Sequence, residues 1–250
     1  MAEESKIQDD SIVAMVHRAY KEGRDHTSAW RVEAQEAYDM VAGRQWTEED
    51  LSTLKDQQRP AVTFNRIMRA VNAIVGTQVA NRQETRFIAR EMGDVQVTEL
   101  LNAAAEWVRD QTDAEDEESD TFEDMCVCGV GWTETRLSYD YDPEGMVLIE
   151  RVDPFEMYWD SSATKRNLAD ARWVMRVKRM PKDEFARHWP DADVDLAGAP
   201  WETAEESQQR THVYPQDAYK EQQSQRAGAK KQMIRVGHIQ WSEPTTTFRV

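Results

Sequence analysis

The chain has 250 residues, with 47 acidic against 31 basic side chains and a formal net charge of −16. That length supports one large domain or two modest ones with a real core, and the charge argues against a surface that grips DNA, because tight non-specific binding rests on neutralising phosphates with Lys and Arg. The N-terminus MAEESKIQDDS lacks the apolar stretch of a secretory signal, no run approaches the ~20 apolar residues of a membrane span, and Cys126 and Cys128, one residue apart, suit neither a disulfide framework nor a CxxC motif, so the expected setting is aqueous and reducing.

The first third reads as helix. Trp30, Ala34, Ala37, Tyr38 and Val41 fall on one stripe of an amphipathic helix, and Gly43 stands where a left-handed terminator belongs. Thr47 before Glu48, Glu49 and Asp50 predicts a capped short helix to about Gln57, stopped by Arg59-Pro60. Phe64, Ile67, Met68, Val71, Ile74 and Val75 make a third stripe with Asn65 near its start. Val97, Leu100, Leu101, Ala104, Val108 and Gln111 make a fourth, with Trp107 on its edge.

After Gly129-Val130-Gly131 the period changes to two. Trp132, Glu134, Arg136 and Ser138 alternate with Thr133, Thr135, Leu137 and Tyr139, Asp142-Pro143-Glu144-Gly145 is a turn sequence, and residues 146–152 run back, which predicts a β-hairpin. Residues 172–179 alternate again, with Trp173, Met175 and Val177 on one face. Pro181-Lys182-Asp183-Glu184 opens a short helix carrying Phe185 and Trp189 and ended by Pro190. Residues 196–231, rich in Gln, Glu, Ala and Ser, read as a mobile or partner-ordered excursion. Residues 233–241 read as a strand, and 245–250 as the start of its hairpin partner, a pattern that points to a longer architecture.

Catalytic signals are poor. The five histidines are scattered without ligand spacing, and no phosphate loop, dinucleotide fingerprint or GxSxG completes. The acidic run DAEDEESDTFED lacks the central glycine of a calcium loop and reads as a solvated helix face; a metal-dependent nuclease using Asp116 and Asp120 is the sharper alternative. Asp153, Asp160 and Asp170 read as turn residues, and the two cysteines as small apolar groups at a helix end. Nine tryptophans, several beside charges, point to a third reading, a monomeric acidic adaptor that binds a partner through Trp.

The order of the segments carries more than any one of them. Gly43-Arg44-Gln45-Trp46 is followed by Arg59-Pro60-Ala61-Val62-Thr63-Phe64-Asn65, then Arg82, TRFIAR, FEDMCVCGVGW, IERVDPFEMYWDSSA, Asp170-Ala171-Arg172-Trp173-Val174 and HWPDAD. This succession resembles the N-terminal part of the portal proteins of short-tailed, double-stranded DNA phages, the Salmonella-phage type, over about residues 30–250 and most loosely over 196–231. The resemblance implies an α+β, wing-like fold: a mainly helical portion over 1–128, a β-rich portion with a small inserted helix over 129–195, the excursion over 196–231 and the start of a hairpin over 232–250. It implies a dodecameric ring at one capsid vertex, which nucleates shell assembly with capsid and scaffolding proteins, docks the terminase motor, passes double-stranded DNA without tight binding, and later holds the tail adaptor. No enzymatic activity, cofactor, metal or membrane belongs to that role, and the setting is the virion, with host cytoplasm during assembly. Such portals are much longer, their stem, clip and crown coming largely after the wing. On this resemblance Gly43, Arg44, Trp46, Arg59, Pro60, Asn65 and Arg82 are structural or subunit-contact residues.

Overall fold

The computed structural model describes residues 2–82, 86–91, 94–139, 142–190 and 233–242. Five helices come first: α1 (Ala2–Val41), α2 (Glu48–Asp56), α3 (Ile67–Ala80), α4 (Val95–Gln111) and α5 (Ala114–Cys128). Strands β1 (Trp132–Ser138) and β2 (Met146–Val152) follow, then a 3-10 turn (Pro154–Glu156), β3 (Met157–Trp159), β4 (Trp173–Pro181), helix α6 (Lys182–His188) and β5 (Met233–Trp241). The architecture is α+β, with antiparallel pairing throughout its two small sheets, β1-β2 and β3-β4-β5. The excursion expected over 196–231 and the hairpin partner expected over 245–250 lie outside the described residues.

The change from helix to strand falls between Cys128 and Trp132, but the chain groups differently in space. One compact unit combines residues 1–32 with 155–250, and the other comprises 33–154.

In the first unit, α1 lies against the three-stranded sheet. Ala19 and Tyr20 join Tyr158, Trp173, Met175 and Val177 in one buried cluster, so the inward face of β4 is the Trp173-Met175-Val177 face. Gly23 permits this approach: a Cβ there would lie 2.7 Å from Trp173 Cη2 and 3.1 Å from Tyr158 Cβ. Two turns on, Arg31 donates from its two terminal nitrogens to the carbonyls of Phe155 (2.6 Å) and Met157 (2.7 Å), and from Nε to Thr27 Oγ1 (3.0 Å), while its guanidinium lies 4.1 Å from the Tyr158 ring centroid. The buried stripe of α1 therefore begins well before Trp30. Its upstream members, Ala19, Tyr20, Gly23 and Thr27, are not a hydrophobic series, so no apolar period marks them.

The β3–β4 connection is organised by two aspartates. Asp160, fully buried, accepts from Ser162 N (2.9 Å), Ser162 Oγ (2.8 Å), Arg172 N (3.1 Å), Arg172 Nε (2.7 Å) and a terminal nitrogen of Arg172 (3.0 Å). Asp170 accepts from Thr164 N and Oγ1, both at 2.8 Å, and from Lys165 N at 3.2 Å. These are turn-building carboxylates, each satisfied by its own loop.

In the second unit α5 is the hub, packed on by α3, α4, β1 and β2. The expected solvated acidic face is only part of its character. Asp124, 1% exposed, accepts from Tyr38 Oη (2.6 Å) and forms a two-point pair with Arg151, from Nε (2.5 Å) and a terminal nitrogen (2.9 Å). Burial pushes the Asp124 carboxyl up from its ordinary value, and Arg151 and Tyr38 oppose that by stabilising the anion. Burial, then the neighbouring carboxylate, push the Tyr38 phenol far up, so it stays a donor. Cys128 is buried beside this network, whereas Cys126, expected to pack at the helix end, faces solvent because it lies two positions off the inward stripe. Gly129 ends α5 at φ +86. The hairpin then turns its charged face inward: Trp132, Glu134, Arg136 and Ser138 are the more buried set, and Arg136 pairs diagonally with Glu150 at 3.2 Å.

Two outcomes follow from these carboxylates. Replacing Asp124 by Ala removes the two-point pair with the part-buried Arg151 and the acceptor of Tyr38, and lowers the unfolding free energy by about 3 kcal/mol in urea titrations, against about 1 kcal/mol for Tyr38→Phe. For Asp160, the Arg172 side chain, aided by the backbone amides of Ser162 and Arg172, holds the folded carboxyl well below its ordinary value. Its stabilising contribution is therefore fully present above the unfolded value of about 4 and is lost as pH falls toward the folded value. Asp160→Asn has a correspondingly shallower loss of stability between about pH 4 and pH 2 than the parent chain.

Candidate assembly surface

The segment from Gly43 to Asn65 is a joint between three helices. Gly43 (φ +81) is the left-handed residue of a Schellman end to α1: Gly43 N donates to the Met40 carbonyl (3.1 Å) and Arg44 N to the Asp39 carbonyl (2.8 Å). The Arg44 side chain returns to Asp39 at 2.6 Å. Thr47 caps α2, accepting from Asp50 N at 3.1 Å. The end of α2 differs from expectation. Gln58, at φ +56, takes the left-handed position, with Gln58 N donating to Lys55 O (3.0 Å) and Arg59 N to Leu54 O (2.9 Å). The helix has thus already closed with the same motif before Pro60, which only follows it.

Asn65 closes the joint. Its Nδ2 donates to the Val41 carbonyl at the end of α1 (2.6 Å), and its Oδ1 accepts from Met68 N in the first turn of α3 (3.0 Å). One amide side chain therefore satisfies an orphan group at each of two helix ends. Trp46 clips the loop from the other side, its Nε1 donating to Thr63 Oγ1 at 3.0 Å. Beyond α3, Arg82 reaches α5, pairing with Glu115 and Asp116 (2.8 Å for the latter), and these hydrogen bonds raise its already high pKa. Arg59 and Pro60 are exposed, and Arg59 has no ion pair among the described residues.

The third and fourth apolar stripes, on α3 and α4, are not buried as a core stripe would be. In α3 only Val71 is buried; Ile67, Met68, Ile74 and Val79 remain exposed, as does the preceding Phe64. In α4 no residue is fully buried, and the helix sits with its less apolar side inward. Thr98, Asn102, Ala105, Val108 and Arg109 face the unit, while Val97, Leu100, Ala104 and Trp107 face solvent, with Leu100 70% and Trp107 59% exposed. Specific contacts hold this orientation. Asn102 acts as a surrogate peptide for Phe87, accepting from its N–H (2.8 Å) and donating to its carbonyl (3.2 Å), and Arg109 makes a two-point pair with Glu118 (2.7 and 2.9 Å). The segment so pinned presents Phe87 and Ile88 outward as well. Periodicity located these stripes, but it does not report which medium they face.

The carboxylates of α5 are distributed among arginines on different elements, and among the described residues no group of three or more His, Cys, Asp or Glu side chains is placed to hold a metal ion. No helix among the described residues is long and apolar enough to cross a membrane.

Apolar helix faces held outward by satisfied polar contacts define a protein that works by assembling with others. The chain belongs to the phage P22-like portal protein family, which it matches over residues 17–249. Its coarse role follows from that membership: a structural component of the phage head-to-tail connector, in a family of oligomeric rings that contact capsid and other phage proteins. Comparison with curated proteins gives no match.

Asn65→Ala removes both ties of the joint and lowers the unfolding free energy by about 1–2 kcal/mol, measured by urea denaturation. Gly43→Ala forces a Cβ into the left-handed region and costs about 1 kcal/mol in the same measurement.

Proposed function

We propose that this chain forms part of a ring of twelve subunits at a single capsid vertex, where it nucleates the shell, receives the terminase motor and later joins the tail, while double-stranded DNA passes through the ring. The observation that carries the reading is the outward apolar face of α4, from Val97 to Trp107, in a chain that matches the portal family along nearly its whole length. Isolated exposed apolar residues are ordinary on any surface, but a stripe repeated over three turns of one helix, beside a second on α3, belongs to surfaces that are covered in use. The joint around Asn65 then has an architectural task, fixing the direction in which α3 presents its face. The charge of −16 suits the wall of a conduit, since a polyanion slides past carboxylates instead of adhering to them. Hydrolysis of ATP belongs to the partner motor in this scheme, and the acidic run of α5 serves as a structural hub instead of a metal site.

Negative-stain electron microscopy and sedimentation velocity of the purified chain, over a range of concentrations and salt strengths, test this reading. Rings with a central hole are expected. A chain that stays monomeric at every concentration removes ring formation by these 250 residues.

A further inference from the structure

We infer that the outward face of α4 is covered by the outward face of α3 from a second copy of this chain, so that successive subunits join head to tail. The inference rests on the ring reading above and assigns the surfaces that make it.

Charge distribution selects the occupant. Residues 94–124 hold twelve acidic side chains and one basic one, Arg109, which is already paired with Glu118. Glu99, Glu106 and Asp110, all exposed, accompany Leu100 and Trp107 along α4. Residues 57–83 show the reverse: four arginines and no carboxylate, in a chain whose overall excess is strongly acidic. Of those four, Arg82 is engaged by α5, whereas Arg59, Arg66 and Arg69 are exposed without an ion pair among the described residues. On α3, Arg66 and Arg69 share the outward side with Gly76, where a Cβ would meet nothing within 4 Å, and the exposed Ile67 and Ile74 run along one edge of that side. An apolar stripe edged by carboxylates on α4 and an arginine-bearing side edged by Ile67 and Ile74 on α3 are complementary in charge and in apolar area.

Self-pairing of α4 faces across a two-fold axis would set Glu99, Glu106 and Asp110 against their own copies, which like-charge repulsion disfavours. Both helices pack on α5, so each subunit carries both faces at once. A contact between two different faces is heterologous, and it repeats from subunit to subunit until the rotation closes.

Two variants of the full chain test this assignment. Leu100→Asp with Trp107→Asp disables the α4 face; Arg66→Glu with Arg69→Glu disables the α3 face. All four positions are exposed, and far-UV circular dichroism checks that each fold is retained. Each variant alone is expected to lose self-association by about a hundredfold or more. Mixed in equal amounts, they retain one intact pair of faces and are expected to stop at a one-to-one dimer of 29.0 kDa chains, seen by sedimentation velocity. A chain carrying Glu99→Arg and Glu106→Arg together with Arg66→Glu and Arg69→Glu restores the complementarity in reverse and is expected to assemble again. If the parent chain forms rings and either disabled variant still does, these faces are not the interface and are left for capsid or motor proteins, while the ring reading stands. Variants that are folded and monomeric, but neither dimerise on mixing nor recover by the charge exchange, overturn the pairing of α3 with α4. A parent chain that never assembles overturns the ring reading itself, and this inference with it.

Discussion

Asp124 occupies the centre of a helix built largely from charge, and the second unit is organised around it. Its carboxylate joins Tyr38 near the end of α1 to Arg151 on β2, while Glu115 and Asp116 hold Arg82 from the end of α3, and Glu118 holds Arg109 of α4. Glu117 extends the pattern by accepting from the backbone N–H of Arg151 at 2.6 Å. A buried ion pair is weak support for stability in itself, because desolvation offsets most of the attraction. What it confers here is direction. Five carboxylates of α5 receive donors from four other elements, and a different arrangement would strand the buried charge of Asp124.

That arrangement explains why apolar stripes can remain outside. A helix placed by hydrophobic burial turns its apolar side inward, as α1 does where Tyr20 meets Tyr158 and Trp173. Helix α4 instead meets its unit through Asn102 and Arg109, and Leu100 and Trp107 stay on its solvent side. These apolar faces therefore stay exposed in the single chain, which belongs to a family of oligomeric rings.

The joint from Gly43 to Asn65 sets the remaining geometry. Two Schellman ends, at Gly43 and Gln58, turn the chain sharply twice, and Asn65 then binds the last turn of α1 to the first turn of α3. A single amide with a donor and an acceptor on opposite sides suits this position better than any residue with one function. Helix termini are where backbone groups most need partners, so a loop this densely bonded fixes the angle between helices without an apolar core of its own.

Much of this was legible in the sequence. Gly43 as terminator, Thr47 as cap, the hairpin turn at Asp142-Pro143-Glu144-Gly145 and the alternation of β4 are encoded by φ preferences and side-chain period, which act over a few residues. The order of the short motifs carried the family. The role of Asn65 at the end of α1 lay beyond such reading, because its partner stands twenty-four positions earlier. So did the burial of Asp124 inside an acidic run, where composition points to solvent, and the left-handed Gln58, where no glycine marks the turn. The upstream stripe of α1 escaped for the same reason: Gly23 and Thr27 pack through close approach and hydrogen bonds, not hydrophobicity. Local propensity and period are properties of neighbours along the chain, and the sequence by itself determined most of the helices, strands and turns, though not β3 or the upstream part of α1. Which side of α3 and α4 faces inward depends on hydrogen bonds and ion pairs formed only once different elements have docked, and only the tertiary structure decided it.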